Sequence, residues 1–477
     1  MPRSARTTSL PLRLETSDRP LRHRIADAVV AALREGRLRP GDPLPSTRVL
    51  AAELEISRGP VVAAYDELAA AGFIETRPGS GAAVAPRADR AARAGATSSV
   101  EPMAPCPTDP VPTTPSWPVR RETRFDLRPG RPDVGFLDQA AWRRAWRQAA
   151  SQAPTTDISH GPRHTRLREV LADHIRRSRG IAVAADDLLI TPGVSATLQA
   201  LPAALGLVGR TVAVEDPGYA EAWTAFSDTG SRIRPLPVDD DGLDPSMLRR
   251  GDAAVYVTPS HQYPLGARMP VARRTALLEW ARASNGLVLE DDYDGEFRYD
   301  VSPLPALRSL EGADDHVLYI GTASKILVPT LRVSWLAPPT HLREAIRVEL
   351  ERRSLFVNEM TGEAVAEFIA NGSLAAHHAR ASRTYAARRA RLVAALARQL
   401  PGHRLSGVDA GLHLVLLLPD DVDDHEVSMT LLHHGVAVNP LSAYCVESVR
   451  RGLVIGYAGL PESQADAAVR ALARGLA

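Results

Sequence analysis

Apolar, strand-like runs that alternate with helical periodicity are the feature of this 477-residue sequence that most restricts its fold. From Phe125 onward the runs read DLLIT, TVAVED, AAVYVT, GLVLEDD, HVLYIGT and RVSWLA, and helical stretches such as Val271–Ala283 lie between some of them. This alternation is typical of an α/β fold with a mostly parallel sheet, because parallel strands need long crossover connections. A later helical stretch, Ser382–Leu400, and the strand-like Gly411–Leu418 and Leu453–Gly456 predict a smaller α+β subdomain.

The N-terminal residues carry a different pattern, three short helices followed by a glycine-rich hairpin. The predicted segments are helices at Leu21–Glu35, Thr47–Leu54 and Arg58–Ala71 and a two-stranded wing within Gly72–Val84. Ser46 is suited to cap the second helix, and the turn before the third is only three residues long. Two helices joined by a tight turn predict a helix-turn-helix, and the hairpin extends the prediction to an α+β winged helix-turn-helix over residues 10–85.

A proline-rich stretch separates these two patterns. Residues 86–122 are rich in Pro, Ala, Ser and Thr, a composition that cannot bury a core and predicts a semi-extended linker. We therefore expect a DNA-binding domain at 10–85, a linker at 86–122, a large domain at 123–355 and a small C-terminal subdomain at 356–477.

Bulk composition excludes several classes of protein. The two cysteines, Cys106 and Cys445, cannot form a disulfide framework, and their spacing matches no metal site. We see no apolar signal segment and no apolar run long enough for a membrane span, so a cytoplasmic protein without a metal or membrane partner is expected. The net charge of +1 creates no overall field that favours nucleic acid or membrane.

A single lysine is the most unusual feature of the composition. The chain has 57 lysines and arginines, and all of them except Lys325 are arginine. Arginine replaces lysine on a surface, but it does not lose its proton and act as an amine nucleophile. Two explanations stay open at this point: a compositional bias that left one surface lysine, or an amine kept for covalent chemistry.

Polar side chains follow an apolar strand upstream of this lysine, in GLVLEDDYDGEFRYD. On a strand, residues i and i+2 share a face, so Asp291 and Tyr293 should point one way and Glu290 and Asp292 the other. A carboxylate and a phenol at the C-terminal end of a strand lie where α/β sheets bind ligands. We expect Asp292 and Asp294 to be solvated or capping residues.

The N-terminal stretch GRLRPGDPLPSTRVLAAELEISRGPVVAAYDELAAAGFIETRPGSGAAVAP resembles the winged helix-turn-helix of GntR-family transcriptional regulators over its whole length. The resemblance implies that double-stranded operator DNA is a partner and that five residues contact it: Arg48, Ser57, Arg58, Arg77 and Gly79. The third helix would then present Ser57 and Arg58 to the major groove, where Arg binds guanine or phosphate.

The strings EDDYDGEFRYD, GTASK and P-x-LR resemble fold-type I enzymes that depend on pyridoxal phosphate (PLP), the aspartate aminotransferase family. Together with the N-terminal module they resemble the MocR/GabR-type regulators. The resemblance implies that Lys325 forms the Schiff base with PLP, that Asp291 pairs with the pyridine nitrogen and that Tyr293 bonds the ring hydroxyl. It also implies that the 5′-phosphate is held by Arg332 and Thr322, with Ser324 adjacent.

Two further segments extend that resemblance. TPGVSATLQAL resembles the phosphate-binding turn of the family and implies contacts from the backbone amides of Gly193, Val194 and Ser195. EDPGYAEAW implies that Tyr219 stacks on the pyridine ring.

The sequence also departs from the family pattern. Val194 replaces a hydroxyl residue, the family tyrosine and glycine are missing near 158–163, and Glu221 stands where GabR-like regulators have an anion-binding arginine. Val454 occupies the place of the arginine that grips the substrate carboxylate in aminotransferases.

Three functions are compatible with these patterns. The favoured one is a PLP-dependent, DNA-binding transcriptional regulator, a homodimer with a head-to-tail arrangement, whose aminotransferase-like domain senses an amine-bearing effector or PLP itself. The first alternative is an active aminotransferase with a vestigial DNA-binding module. The second is a regulator whose aminotransferase-like domain no longer binds PLP. The missing carboxylate arginine argues against ordinary transamination of amino acids.

Overall fold

The structure, a computed structural model, describes Leu12, Leu14 and residues 19–77, 81–94, 123–153, 163–299 and 305–476. The chain divides into two compact units between residues 111 and 112. Most of the predicted linker, the predicted DNA contact Gly79 and residues 158–162 lie outside the described residues. No helix among the described residues is both long enough and apolar enough to cross a membrane.

The N-terminal unit contains the three predicted helices and the predicted wing. Its elements are α1 (Leu21–Arg34), α2 (Thr47–Glu53), α3 (Arg58–Ala70), the antiparallel strands β1 (Ile74–Arg77) and β2 (Gly81–Val84), and α4 (Ala88–Ala94). Ile25, Val29 and Leu33, spaced to share one face of α1, are fully buried. Ser46 caps α2 by accepting a hydrogen bond from the Val49 amide at 3.3 Å.

Helix α4 corrects the predicted start of the linker at residue 86. Ala88 and Ala92 are buried in the same core as α1, and the Arg34 guanidinium donates a hydrogen bond to the Ala92 carbonyl at 3.1 Å. Small alanines let the two helices approach closely, so this low-complexity segment adds to the N-terminal core. Residues up to Ala94 therefore belong to the N-terminal unit.

The second unit alternates strands and helices. Its strands are β3 (Phe125–Asp126), β4 (Leu189–Thr191), β5 (Thr211–Asp216), β6 (Arg232–Asp239), β7 (Gly242–Leu243), β8 (Asp252–Val257), β9 (Leu287–Asp291), β10 (Val317–Thr322), β11 (Ser334–Ala337), β12 (Leu405–Ser406), β13 (His413–Leu417), β14 (Val436–Ala437), β15 (Asn439–Pro440) and β16 (Gly452–Gly456). Its helices are α5 (Gln139–Ala150), α6 (Thr165–Arg179), α7 (Val194–Ala204), α8 (Ala220–Asp228), α9 (Val271–Ser284), α10 (Ala323–Ile326), α11 (Thr340–Arg352), α12 (Glu359–Ala370), α13 (Ser373–Gln399), α14 (Asp424–His433) and α15 (Ala465–Leu476).

Eight strands form the large sheet, in the order β4-β11-β10-β9-β8-β5-β6-β7. The five strands β10, β9, β8, β5 and β6 run parallel to one another, whereas β11 is antiparallel to both of its neighbours. Helices cover both faces of the sheet. Val288 belongs to the same buried cluster as Leu277 of α9, whereas the next residue, Leu289, points to the other face and belongs to the cluster of Phe226 in α8. The mostly parallel α/β sheet expected from the sequence is confirmed.

A second, antiparallel sheet of four strands in the order β12-β13-β16-β15 forms the smaller subdomain. The predicted bounds of 123–355 and 356–477 need one correction. Strand β3 pairs with β14, the Leu127 amide donates to the Ala437 carbonyl at 2.8 Å, and α5 packs on α12. The first described residues of this unit thus associate with the C-terminal ones, and nothing local in their sequence indicates that pairing.

Candidate functional site

A cavity of about 300 Å³ opens where the C-terminal ends of β9 and β10 meet the start of α7. The lining includes all the predicted cofactor-side residues except Gly193: Val194, Ser195, Tyr219, Asp291, Tyr293, Thr322, Ser324, Lys325 and Arg332. These nine residues span more than 130 positions of sequence. Carboxyl ends of parallel strands are the usual place for ligands in such sheets, so the fold itself accounts for their convergence.

Lys325 lies in α10, directly after β10. Its Nζ donates a hydrogen bond to the Gly130 carbonyl at 2.8 Å. The short helix begins where Thr322 Oγ1 accepts a hydrogen bond from the Ser324 amide at 3.1 Å. Burial lowers the pKa of Lys325, while the carboxylates of Glu221, Asp294 and Asp291 act in the opposite direction. A partly buried amine with a lowered pKa is easier to deprotonate, which is the condition for a nucleophile.

Asp291 ends β9 and faces the same cavity. The Tyr256 hydroxyl donates a hydrogen bond to Oδ2 of Asp291, whereas the buried Oδ1 has no protein partner. Burial raises the pKa of this carboxyl to about 7. An unpartnered buried carboxylate oxygen is costly, so a ligand that donates a hydrogen bond there would relieve the cost.

An anion cradle forms at the start of α7. Gly193 has a φ of +95°, and a Cβ atom at this position would lie 3.0 Å from Cζ of Arg332. The guanidinium therefore lies directly over the glycine backbone. Helix α7 begins at Val194, and the first amides of a helix have no acceptor within it. These amides and the cation together suit a phosphate.

Partly buried aromatic rings enclose the other side of the cavity. Tyr219 and Tyr263 meet edge to face with ring centroids 6.0 Å apart, and Tyr263 meets Tyr293 in the same way at 5.5 Å. The Tyr293 hydroxyl and His261 Nδ1 are 3.0 Å apart. The Tyr219 hydroxyl bonds the Ser195 side chain, and burial raises its pKa.

The prediction that Asp292 and Asp294 are solvated or capping residues is wrong. Asp292 is buried and forms a bidentate ion pair with Arg179, and Asp294 lies 3.0 Å from Nδ1 of His261. The strand-face prediction stands, because Asp291 and Tyr293 face the cavity while Glu290 accepts hydrogen bonds from the amides of Leu307 and Arg308. The error arose because distant residues from α6 and the 260s loop bury the carboxylates.

His261, Asp294 and His413 are close enough to one another to hold a metal ion. Two of their ligand atoms are already used, since Nδ1 of His261 pairs with Asp294 and Nε2 of His413 lies 2.9 Å from the Pro264 carbonyl. Burial lowers the pKa of His413 to about 4, so this imidazole is neutral at physiological pH. These side chains are therefore buried and held by hydrogen bonds to other protein atoms, and His413 also lines the cavity.

Several lining residues were not predicted from the sequence. They are contributed mainly by the loop before α5 and by the smaller subdomain: Pro129, Gly130, Leu412, His413, Asn439 and Tyr444. None lies in a motif that sequence reasoning recognised. The only local sequence signal for these residues was the Arg-Pro-Gly stretch at 128–130, which is typical of a turn. Its glycine has a φ of +76° and no side chain, so Lys325 can approach the backbone closely.

The predicted DNA-contact residues lie on the exposed side of the N-terminal unit. Arg48 is the second residue of α2, and Ser57 and Arg58 stand at the start of α3; all three side chains are exposed. Arg58 Nε donates a hydrogen bond to Thr47 Oγ1 at 3.0 Å, which links the two helix starts. Arg77 ends β1, and its side chain lies outside the described residues.

Comparisons with known proteins agree with this two-part organisation. Residues 21–84 match the family model "Bacterial regulatory proteins, gntR family", and residues 131–472 match "Aminotransferase class I and II". The chain is 35% identical to the HTH-type pyridoxine biosynthesis transcriptional regulator PdxR of Corynebacterium glutamicum, over 91% of each chain.

It is also 31% identical to the probable rhizopine catabolism regulatory protein MocR of Rhizobium meliloti, over 93% of this chain and 91% of the relative. An archaeal alanine:glyoxylate aminotransferase superposes with a TM-score of 0.68 at 24% identity, over 73% of this chain and 90% of that one, which shows the shared fold. This chain belongs to the family of HTH-type transcriptional regulators in which a gntR-family helix-turn-helix precedes an aminotransferase class I and II domain.

Proposed function

We propose that this protein is a PLP-dependent regulator that binds operator DNA through its N-terminal unit and senses a small amine in the cavity around Lys325. One observation carries the proposal. A partly buried primary amine, a buried carboxylate oxygen without a partner and a guanidinium over a helix start line the same cavity. Those are the groups that an aldehyde, a pyridine nitrogen and a phosphate on one ligand would require.

The residues of the cavity fit PLP group by group. Lys325 would supply the amine for its aldehyde, and Asp291 would pair through Oδ1 with the pyridine nitrogen. Arg332 and the first amides of α7, from Val194 and Ser195, would hold the phosphate, with Gly193 leaving room for it. Thr322 and Ser324 line the same end of the cavity. When bound, PLP supplies a carbonyl that condenses reversibly with primary amines.

The chain's own residues determine how that chemistry is used. Tyr256 orients Asp291 through its hydroxyl, so the free carboxylate oxygen is held toward the cavity. Tyr219 offers its ring to the cofactor, and Tyr293 offers its hydroxyl, which His261 positions. Lys325 is partly buried beside these rings, which limits the access of water to its amine and would favour condensation over hydrolysis.

The DNA side of the proposal depends on the exposed start of α3. Ser57 and Arg58 would enter the major groove, and Arg48 of α2, together with the wing residues Arg77 and Gly79, would contact the backbone. The N-terminal unit has only a small excess of arginine over acidic residues. One N-terminal unit attracts DNA only weakly, and two copies that bind two half-sites compensate for this. We therefore propose a homodimer with a head-to-tail arrangement of its subunits.

Effective transamination of amino acids is not part of the proposal. Among the described lining residues, Arg332 is the one guanidinium, and it belongs to the phosphate end. Arg450 donates to the Val238 carbonyl, and Arg451 pairs with Asp424, so neither faces the cavity. Without a bidentate clamp, an α-carboxylate has no fixed position relative to Lys325.

The test compares DNA binding by the full-length protein with and without PLP. Fragments from the region upstream of its own gene are used in a gel-shift or fluorescence-anisotropy titration at fixed salt. We expect specific binding to one such fragment, a visible absorption band after addition of PLP, and an altered DNA affinity in the loaded protein. Absence of any specific fragment, or steady multiple turnover of an amino donor and a keto acid at enzyme-like rates, would refute the proposal.

A further inference from the structure

The part of the cavity lining formed by Glu221, Tyr263, His413, Asn439 and Tyr444 is built from groups that accept hydrogen bonds or attract cations. We propose that the effector is an amine that carries a second cationic group and no carboxylate, with Glu221 as the residue that binds the second cation. This inference rests on the proposed function, since it concerns the ligand that shares the cavity with PLP.

Glu221 is the first element of the argument. It lies in the first turn of α8 and lines the cavity, and Lys325 is the cation that acts on it. Of the carboxylates that act on Lys325, Glu221 has the largest effect. Once the Lys325 amine is occupied by the cofactor, Glu221 no longer faces a free ammonium group. A partly buried carboxylate without a counter-ion is unfavourable, so a cationic ligand would restore the balance.

Tyr219, Tyr263 and Tyr444 line the same cavity as this carboxylate. Glu221 lies close enough to Tyr219, Tyr263 and Tyr444 to add to the effect of burial in raising the pKa of the first two phenols, and it acts in the same direction on the third. Tyr263 meets Tyr444 edge to face at 5.2 Å. Aromatic rings next to a carboxylate are the arrangement that binds organic ammonium groups, through cation–π attraction and ion pairing together.

Two neutral acceptors complete this end of the cavity. Asn439 donates its amide to the Tyr444 hydroxyl at 2.7 Å, which leaves its buried Oδ1 without a protein partner. His413 is neutral, and its Nε2 must carry the proton to bond the Pro264 carbonyl, so its Nδ1 can only accept. Asn439 Oδ1 therefore requires a hydrogen-bond donor and His413 Nδ1 can accept one, and an ammonium group has three N–H donors.

A carboxylate group on the ligand would be disfavoured in these surroundings. It would lie against the Glu221 carboxylate, the Asn439 carbonyl oxygen and a neutral imidazole, and the described lining offers Arg332 alone as a guanidinium, at the phosphate end. Like charges in a buried site repel strongly, so amino acids are disfavoured. The chemical class that fits is therefore an aliphatic diamine, with one amine toward Lys325 and the other toward Glu221.

The experiment uses the full-length protein loaded with PLP and three ligands with four carbon atoms each: 1,4-diaminobutane, 1-aminobutane and 4-aminobutanoate. Binding is followed by the change in the cofactor absorption band and, separately, by the shift in Tm. We expect the diamine to bind at least about 10-fold more tightly than the monoamine, as one additional buried charge-assisted hydrogen bond provides. The amino acid should bind more weakly than either, and diamines with three and five carbons define the best length.

Two substitutions at one position test the assignment. Glu221→Gln should reduce the preference for the diamine over the monoamine to about 1 while monoamine binding persists, and Glu221→Arg should make 4-aminobutanoate the preferred ligand. Glu311→Gln, at an exposed position outside the cavity, is the matched control and should leave all three affinities unchanged. If Glu221 had only a structural role at the start of α8, its substitution would instead lower Tm and leave the order of the three ligand affinities unchanged.

The outcomes separate this inference from the function on which it rests. A protein that binds PLP and responds to amines, but prefers 4-aminobutanoate or does not distinguish the diamine from the monoamine, overturns the inference alone. The same holds if DNA binding responds to PLP and no amine alters the absorption band. A protein with no absorption band in the presence of PLP overturns both.

Discussion

The two functional regions of this chain differ in how their residues are distributed. Arg48, Ser57 and Arg58 lie within one short stretch, on the starts of two consecutive helices, and all are exposed. The cavity collects residues from Pro129 to Tyr444, and they come from both the large sheet and the smaller subdomain. One region is local and exposed to water, whereas the other is assembled from distant parts of the chain and largely buried.

This difference determines how much a single side chain contributes. An exposed arginine acts in high dielectric and shares its work with other cations, so its loss is partly compensated. A buried amine or carboxylate acts in low dielectric and has no substitute nearby, so its loss removes a whole function. Four substitutions test this contrast, in decreasing order of expected effect.

Lys325→Ala should abolish covalent attachment of PLP and the absorption band that accompanies it. Because no other lysine exists, reduction with borohydride should label the wild type at a single side chain, which peptide mass spectrometry identifies. The control restores a lysine at an exposed site, in Lys325→Ala combined with Arg250→Lys. If that double variant is labelled to the wild-type extent, the buried position of Lys325 is irrelevant and the contrast between the two regions fails.

Asp291→Asn should weaken PLP binding roughly 10- to 100-fold, the value of a charge-assisted hydrogen bond. Asparagine still accepts from Tyr256 but cannot pair with a charged pyridine nitrogen. The dissociation constant from the absorption titration measures the change. Asp240→Asn, at an exposed position, serves as the comparison, and an equal loss there would contradict the assignment.

The same substitution should stabilise the protein without PLP at neutral and higher pH. Burial raises the pKa of Asp291 from an ordinary value near 4 to about 7 in the folded chain. The folded state therefore holds a proton that the unfolded state has lost, and stability falls as pH rises between those two values. We expect Asp291→Asn to gain about 1–2 kcal/mol in urea unfolding at pH 8 and almost nothing at pH 4. A gain that does not depend on pH would show that this carboxyl titrates normally.

Arg58→Ala should reduce affinity for the specific DNA fragment by about 10-fold, as loss of a base or phosphate contact from a recognition helix does. The cofactor absorption band should not change, since the substitution is exposed and lies in the other compact unit. Arg90→Ala, on the exposed side of α4, is the matched control. Equal losses from the two variants would mean that only total charge matters.

Arg48→Ala should have the smallest effect, a reduction in DNA affinity of a few-fold. If Arg48 contacts phosphate alone, the slope of log affinity against log salt should become shallower by about 1 per site. Specificity between the preferred fragment and a scrambled one should remain. A loss of specificity greater than that of Arg58→Ala would exchange the roles assigned to the two arginines.

Sequence patterns predicted the fold most accurately where structure is local. Helices α1 and α3 end within one residue of their predicted positions, because apolar spacing, capping residues and tight turns act over a few neighbours. Prediction failed for α4, because an alanine-rich segment with little apolar surface gave no sign that it would pack on the core beside α1. It also failed for β3, whose partner strand lies about 300 residues further along the chain.

The sequence by itself determined the chemistry of the cofactor end: one amine in a chain of arginines, and a carboxylate and phenol on one strand face. Those properties follow from residue type and from the two-residue period of a strand, so they need no knowledge of distant contacts. The tertiary structure alone decided which residues form the proposed effector end. Glu221, Asn439 and His413 meet only because the smaller subdomain and the large sheet contribute to one cavity, and partial burial of these ordinary polar side chains is what would favour a cation there.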